Sequence, residues 1–278
     1  VTRFVDVHVH PPLDALIEGA ETPLSAAEFG DAVPPTGDQI ADHYRAREGM
    51  AVVHAFDAET TTGVRALSNR RLAELVAAHP DVLVGLGSVD PHRGAAAVGN
   101  VADAKRLGLH GLFFHPPVQR FDPSSRLAAP LWEMAADLRL PVVVHCGTTL
   151  PGEGRVGGAG VRLDRADPFL VDAVAATHPD LRIVIVDPNP LWEERAAAVV
   201  RHKGNVWLAL PGTPPDRWSP TLRGLLTEPS TPRIMCGTGY PITDTDAWLA
   251  AWSRLDLPED VSRAVLVDNA AEVFGLDC

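Results

Sequence analysis

Eight short apolar runs separated by stretches of helical periodicity predict an α/β protein of the (β/α)8 TIM-barrel class. The runs are dense in Val, Ile, Leu and Phe, as strands buried on both faces must be. Most intervals hold a helical stretch of about 10 to 15 residues, the crossover that parallel strands require. Their count is the one that closes a barrel. A doubly wound open sheet is the competing arrangement of the same elements. At 278 residues the chain suits a single domain over 1–278, and its 46% hydrophobic residues can fill one core.

The strand candidates, in order, are FVDVHVH (4–10), MAVVHAF (50–56), VLVGLGSV (82–89), HGLFFH (110–115), PVVVHC (141–146), LRIVIVD (181–187), NVWLAL (205–210) and PRIMCG (232–237). The clearest helices are VRALSNRRLAELVAAH, APLWEMAADLRL, PFLVDAVAATH and LWEERAAAVVRH. AHPDV (78–82) and THPDL (177–181) each join a helix end to a strand start. A histidine in the last turn complements the helix dipole, and proline stops the helix. His79, His178 and the similarly placed His202 therefore read as structural, at the bottom of the barrel. Two segments break the rhythm: the Pro-rich 11–37 and the Gly-rich 147–166. Both leave C-terminal strand ends, where barrel enzymes build their sites, and both read as lids. Gly152, Gly154 and Gly157 have G-x-G-x-x-G spacing but neither abut the strand nor open a helix, so a dinucleotide fingerprint is rejected.

Twenty-four basic against 36 acidic residues give 24 − 36 = −12. That balance argues against nucleic acid and anionic membrane surfaces as partners. No run reaches the roughly 18 apolar residues of a membrane span. The first residues lack the charged-then-apolar pattern of an export signal. Cys146, Cys236 and Cys278 are odd in number and lack CxxC spacing, so a reducing, cytoplasmic setting is expected. A small-molecule substrate is the expected partner, with homodimerisation left open.

The chemistry lies in the histidines at strand ends. His8 and His10, two apart on a strand, share one face, with Asp6 on the same face as an acceptor orienting an imidazole. Val5, Val7 and Val9 are then expected to point into the helix layer. Alone, the HxH pair is either half of a metal site or two hydrogen-bonded polar residues. His145 ends the fifth run and His115 the fourth, and a barrel brings such ends to one rim. Three imidazoles converging there can share a divalent cation. His115, fixed by two prolines, is a candidate contact to substrate or water, and His54, ending the second run, is another. Cys146 should point away from His145 as a small buried hydrophobe.

DVHVHPP, the 108–147 stretch ending in PVVVHCG, HPDLRIVIVDPNP with its continuation to 210, PRIMCGTGYP and DNAAEVFGL stand in an order that resembles the amidohydrolase superfamily. The similarity is to its amidohydrolase-related group, which includes aminocarboxymuconate-semialdehyde decarboxylase, and it covers nearly the whole chain. It implies a barrel of amidohydrolase type that holds a divalent metal, often zinc, with manganese as the alternative. It also implies hydrolysis or non-oxidative decarboxylation. His8, His10 and His145 match metal ligands of that pattern.

Two departures fall on the chemistry. Asp187 stands where a histidine is expected after the sixth strand, and Gly239 where an aspartate is expected after the eighth. Three readings stay open. Asp187 replaces the missing carboxylate as metal ligand or as base; the site works without metal; or the chain is a catalytically silent binder, or carries Gly239 as an introduced residue. Asp187 can also merely cap a turn. Arg155 and Arg162, in the Gly-rich segment, and Arg120, after the fourth strand, are candidate partners for a substrate carboxylate, with solvated loop positions as the alternative. The leading expectation is a metal-dependent hydrolase of an amide, ester or lactone. A decarboxylase is the alternative, followed by a degenerate binding protein.

Overall fold

All eight apolar runs form strands, and the strands pair in parallel in chain order. The structure is a computed structural model that describes residues 3–11, 35–227 and 233–278. The strands are β1 (Phe4–Val9), β2 (Gly49–His54), β3 (Leu83–Gly87), β4 (Gly111–Phe114), β5 (Val142–His145), β6 (Ile183–Val186), β7 (Val206–Ala209) and β8 (Ile234–Met235). A helix follows each: α1 (Gly37–Arg45), α2 (Asn69–Ala78), α3 (Ala95–Arg106), α4 (Ala129–Asp137), α5 (Pro168–Thr177), α6 (Glu193–His202), α7 (Pro220–Leu225) and α8 (Thr245–Ser253). Between β8 and β1 the Val7 N–H donates to the Cys236 carbonyl at 3.0 Å, and the Gly239 N–H to that of His8 at 2.9 Å. These bonds bring the last strand back to the first, as a barrel requires and an open sheet does not. The expected run 232–237 opens at a residue outside the described set.

Local signals start and stop the helices as their residues dictate. Thr36 and Gln39 form a reciprocal capping box on α1, and Ser68, Asp167 and Asp244 cap α2, α5 and α8. His79 and His178 occupy the C-caps of α2 and α5, and His202 ends α6. The His79 ring meets the Asp38 carboxylate at 2.7 Å, a structural role away from the barrel mouth. No described helix is long and apolar enough to cross a membrane.

Two apolar layers sandwich the sheet. Val5, Val52, Leu86, Phe113, Val143 and Val184 fill the barrel interior with their neighbours. Val267, Ala270, Val273 and Phe274 from the last helical segment join them, and the His110 ring bonds the Phe274 carbonyl at 2.9 Å. That segment closes the lower end. Outside, Phe4, Val9, Val144 and Ile185 pack against the helices, together with Cys146 as expected.

The facing of β1 differs from the expected simple alternation. Val5 and Val7 point into the barrel, and Asp6 points out towards Tyr44 of α1. The cause is a bulge. Phe4, Val5 and Asp6 pair with Gly49, Met50 and Ala51, but Val9 pairs with Val53, so three steps of β1 match two of β2. The extra residue resets the alternation, so that Val5, Val7, His8 and His10 all serve the inner side while Val9 packs against the helices.

The Gly-rich segment 147–166 is not structureless, as a plain lid would be. It contains short helical turns at Val156–Gly160 and Leu163–Ala166. Gly152, Gly154 and Gly157 all take positive φ, and no longer helix opens on them. Of the other expected lid, 11–37, residues 12–34 lie outside the described residues.

Candidate active site

Alternation on β2, β4 and β5 carries the inner face from Val52, Phe113 and Val143 to His54, His115 and His145 at the mouth. With His8 and His10 they make five imidazoles at one rim. His8 is 4% exposed, and His54, His115 and His145 are each 6% exposed. The His8 and His10 ring centroids lie 5.2 Å apart, and His115 lies flat on His145 at 4.0 Å. His54 stacks on Phe113 at 3.7 Å. Burial holds all five uncharged at neutral pH: His10 and His54 fall to about 3, His145 to about 4, and His8 and His115 well below the ordinary value. The charges pushing in the same direction are those of the other imidazoles.

Two buried polar side chains support these rings: Asp6, expected as an acceptor, and Gln119, which the sequence reading missed. Asp6 accepts the His8 backbone N–H at 3.1 Å, the Thr238 N–H at 2.9 Å and the Tyr44 hydroxyl at 2.6 Å, besides the Thr238 hydroxyl. It therefore fixes the main chain beneath His8, in place of the expected contact to an imidazole. Buried Gln119 accepts the His115 N–H at 2.9 Å and donates to the carbonyls of Asp57 and Val89. It locks the turn that presents His115. A buried Gln four residues after a strand end was the available signal.

The Nδ1 atoms of His8 and His115 are buried without a hydrogen-bond partner among the described residues. Uncharged imidazoles with unused nitrogens fit a borderline divalent ion in kind. Their arrangement offers them in pairs. Among the described residues no three His, Cys, Asp or Glu side chains converge on one point, so His145 must turn off His115 to join His8 and His10.

Asp187 reaches the same rim but not the ring cluster. Its backbone is left-handed at φ 55°, and its carbonyl presses on Gly147, where an added Cβ would lie 2.1 Å away. The half-buried carboxyl is raised to about 7 by burial alone. Gly239, also left-handed at φ 68°, faces open space bounded by Gly212 Cα and His8 Nδ1.

The expected arginines stand on the rim loops. Arg162 donates through Nε and Nη2 to the two oxygens of the Asp164 carboxylate, and Arg120 donates to the Ala159 carbonyl at 2.7 Å. Arg155 is exposed. None is brought to the imidazoles. The burial of Cys146 pushes its thiol well up, as an inert core residue requires. Large apolar side chains are exposed on segments that follow strands: Leu150 and Val156 after β5, Leu191 after β6 and Ile242 after β8.

Solved structures with this fold span the whole chain. A 5-carboxyvanillate decarboxylase from Sphingomonas paucimobilis superposes with a TM-score of 0.72 at 19% identity, covering 100% of both chains. A manganese-bound dihydroxybenzoic acid decarboxylase from Polaromonas sp. JS666 gives 0.72 at 16% identity, covering 99% of this chain and 98% of that one. A protein described as a 2-pyrone-4,6-dicarboxylic acid hydrolase, from Acinetobacter baumannii with citric acid bound, gives 0.66 at 12%, covering 99% and 100%. No curated protein matches the chain in sequence. Residues 5–276 match the amidohydrolase family model, and the chain belongs to that family.

Proposed function

We propose that this amidohydrolase is a metal-dependent hydrolase that opens an amide, ester or lactone bond of a small carboxylic acid. The observation that carries the reading is the placement of five buried, uncharged imidazoles around one barrel mouth, His8 beside His10 and His115 on His145. His8, His10 and His145 would hold the ion, zinc or manganese, with Asp187 as a fourth ligand or as the proton carrier beside it. A bound divalent ion supplies carbonyl polarisation and an acidic water. Asp187, held at about 7, can take a proton and release it near neutral pH. His115 directs its free Nδ1 to the water or substrate, and His54 flanks it. Arg155, the exposed arginine of the Gly-rich segment, is the candidate to draw an anionic substrate across an acidic surface. Supporting the substrate class, the relatives above are named for carboxylic acids.

A second reading, non-oxidative decarboxylation, is favoured by one observation. Among the described residues no carboxylate joins the imidazoles in a cluster, and proton delivery to carbon needs no base to activate water. Metal analysis of the purified protein and product analysis test both. About one zinc or manganese per chain, lost in His8→Ala and His10→Ala, supports the metal site. Uptake of water by a lactone acid supports hydrolysis, and carbon dioxide release supports the second reading. A folded protein free of metal and silent on both substrate classes sinks both.

A further inference from the structure

At the end of the barrel opposite the imidazoles, a depression of about 440 Å³ is lined by Lys105, His110, Arg139 and Arg182, with Pro141 and Phe274 as apolar wall. Three successive strand starts supply the polar groups. Lys105 lies in the last turn of α3, His110 just before β4, Arg139 before β5 and Arg182 directly before β6. The volume is that of a small-molecule site. No acidic side chain lines it, in a chain of net charge −12. A second depression of about 550 Å³ shares Arg139 and Arg182 and carries Asp180. The donors are held in place and largely unspent. The Arg182 guanidinium gives one bond from each terminal nitrogen, to the Glu272 carbonyl at 3.1 Å and the Arg139 carbonyl at 3.2 Å, which uses two of its five N–H groups. His110 Nδ1–H donates to the Phe274 carbonyl at 2.9 Å, and Nε2 has no partner among the described residues. Neither Lys105 nor Arg139 forms an ion pair among the described residues, and Asp103, the carboxylate nearest Lys105 on α3, is taken by Arg106. Arg139 stands at φ 54° just past α4, where glycine is the usual residue. The helix ends do not absorb these charges: the C-termini of α3 and α4 carry about half a negative charge each, against three full positive ones.

We propose that this depression binds a phosphoryl group, as free phosphate or as a phosphate monoester. Three cations call for a dianion with several acceptor oxygens, and a single carboxylate would neutralise only one of them. His110 Nε2 either accepts the O–H of a hydrogen phosphate or, once protonated, donates to a phosphoryl oxygen. Pro141 and Phe274 are the surface on which the organic part of a monoester packs. The same two side chains that meet the anion already hold the segment closing the barrel, Arg182 at Glu272 and His110 at Phe274. A bound phosphoryl group therefore ties that segment to the starts of β4 and β6. The site stands apart from the imidazoles and does not depend on the activity proposed for them.

Inorganic phosphate is the first probe, titrated into the full chain at constant ionic strength while the 15N signal of His110 Nε2 is followed. That signal is expected to shift saturably, and to stay still when chloride replaces phosphate. Arg139→Gly suits the left-handed backbone, and Lys105→Ala changes an exposed helix turn, so both proteins should keep the circular dichroism of the parent. Each is expected to raise the phosphate Kd about fivefold or more. His8→Ala, at the other end of the barrel, is expected to leave this titration unchanged. A His110 signal that phosphate does not move overturns the site. So does a Kd that neither Arg139→Gly nor Lys105→Ala alters, since the anion then lies elsewhere. Phenyl phosphate separates the two sources: tighter binding than phosphate identifies a monoester as the ligand, and equal or weaker binding identifies the free anion.

Discussion

The Asp6 carboxylate accepts the backbone N–H of His8 at 3.1 Å, across the register shift that turns His8 inward. Its other oxygen takes the Tyr44 hydroxyl at 2.6 Å, so α1 is tied to the bulge through a buried carboxyl. Removing a hydrogen bond to such a group costs about 1.5 to 3 kcal/mol. Tyr44→Phe should lose that much in urea unfolding, with the tilted and edge-on ring contacts to Phe4, His43 and Tyr240 retained. A midpoint equal to that of the parent would show that Asp6 does not depend on this donor.

Two glycines near the mouth should respond differently to alanine. At Gly147 an added methyl lies 2.1 Å from the Asp187 carbonyl oxygen, a backbone atom that cannot swing aside. At Gly239 the space is open, and only the left-handed φ opposes the change, at about 1 to 2 kcal/mol. Gly147→Ala should therefore lower the melting temperature clearly more than Gly239→Ala. The reverse order would contradict the packing of β5 against β6 at this rim.

The barrel was legible because each strand is buried on both faces and five of the eight crossover helices carry a side-chain N-cap. The strand-end histidines were legible for the same reason: VVH, FFH and VVVH place the ring by simple alternation. DVHVH was not, because its alternation breaks within the strand. The extra residue is stabilised by Thr238, which lies 232 positions away along the chain, and by Tyr44. Asp187 was legible only as a residue at the end of the sixth strand. Continued alternation says nothing about the facing of a left-handed residue, and Asp187 takes φ 55° with its carbonyl close against Gly147. Arg162 met a carboxylate, but that of Asp164 two residues on, a local partner that the loop sequence already contained.

The rings should make stability depend on pH in a definite direction. His54 titrates near 3 in the fold and near 6.5 when unfolded, so its contribution is complete above 6.5 and is lost as pH falls towards 3. Between those limits it adds about 1.4 kcal/mol per pH unit to the slope of stability against pH. His54→Phe keeps the stack on Phe113 and should reduce that slope by about one proton between pH 4 and 6. Parallel profiles for parent and variant would mean that His54 is charged in the fold.

Asp187 works in the opposite sense. Its carboxyl is raised to about 7, so its contribution is complete below 3.8 and is lost as pH rises through 7. At pH 8 the fold holds a half-buried anion that no described group neutralises. Asp187→Asn should gain on the parent between pH 5 and pH 8 by on the order of 1 to 2 kcal/mol, the residue's partial exposure screening the rest. Calorimetry at the two pH values measures it, and a constant difference would place a cation beside the carboxyl.

His115 and His145 stack at 4.0 Å with their planes 15° apart, and the proposed reading gives them different roles, metal binding for His145 and turnover for His115. If His145 joins His8 and His10 on a metal, it must leave the stack, and His115 keeps an unpartnered Nδ1 to serve the reacting water or substrate. His115→Ala should then retain the metal, since no ligand is lost and the stack no longer holds His145 back. It should still lose turnover by about 10²- to 10⁴-fold, the usual cost of removing an acid–base group. His145→Ala should lose metal and turnover together. Metal content and initial rates measured on the same preparations separate the two roles. A His115→Ala protein that loses its metal would make His115 a ligand, and would move the ion from the His8–His10 side of the mouth towards β4.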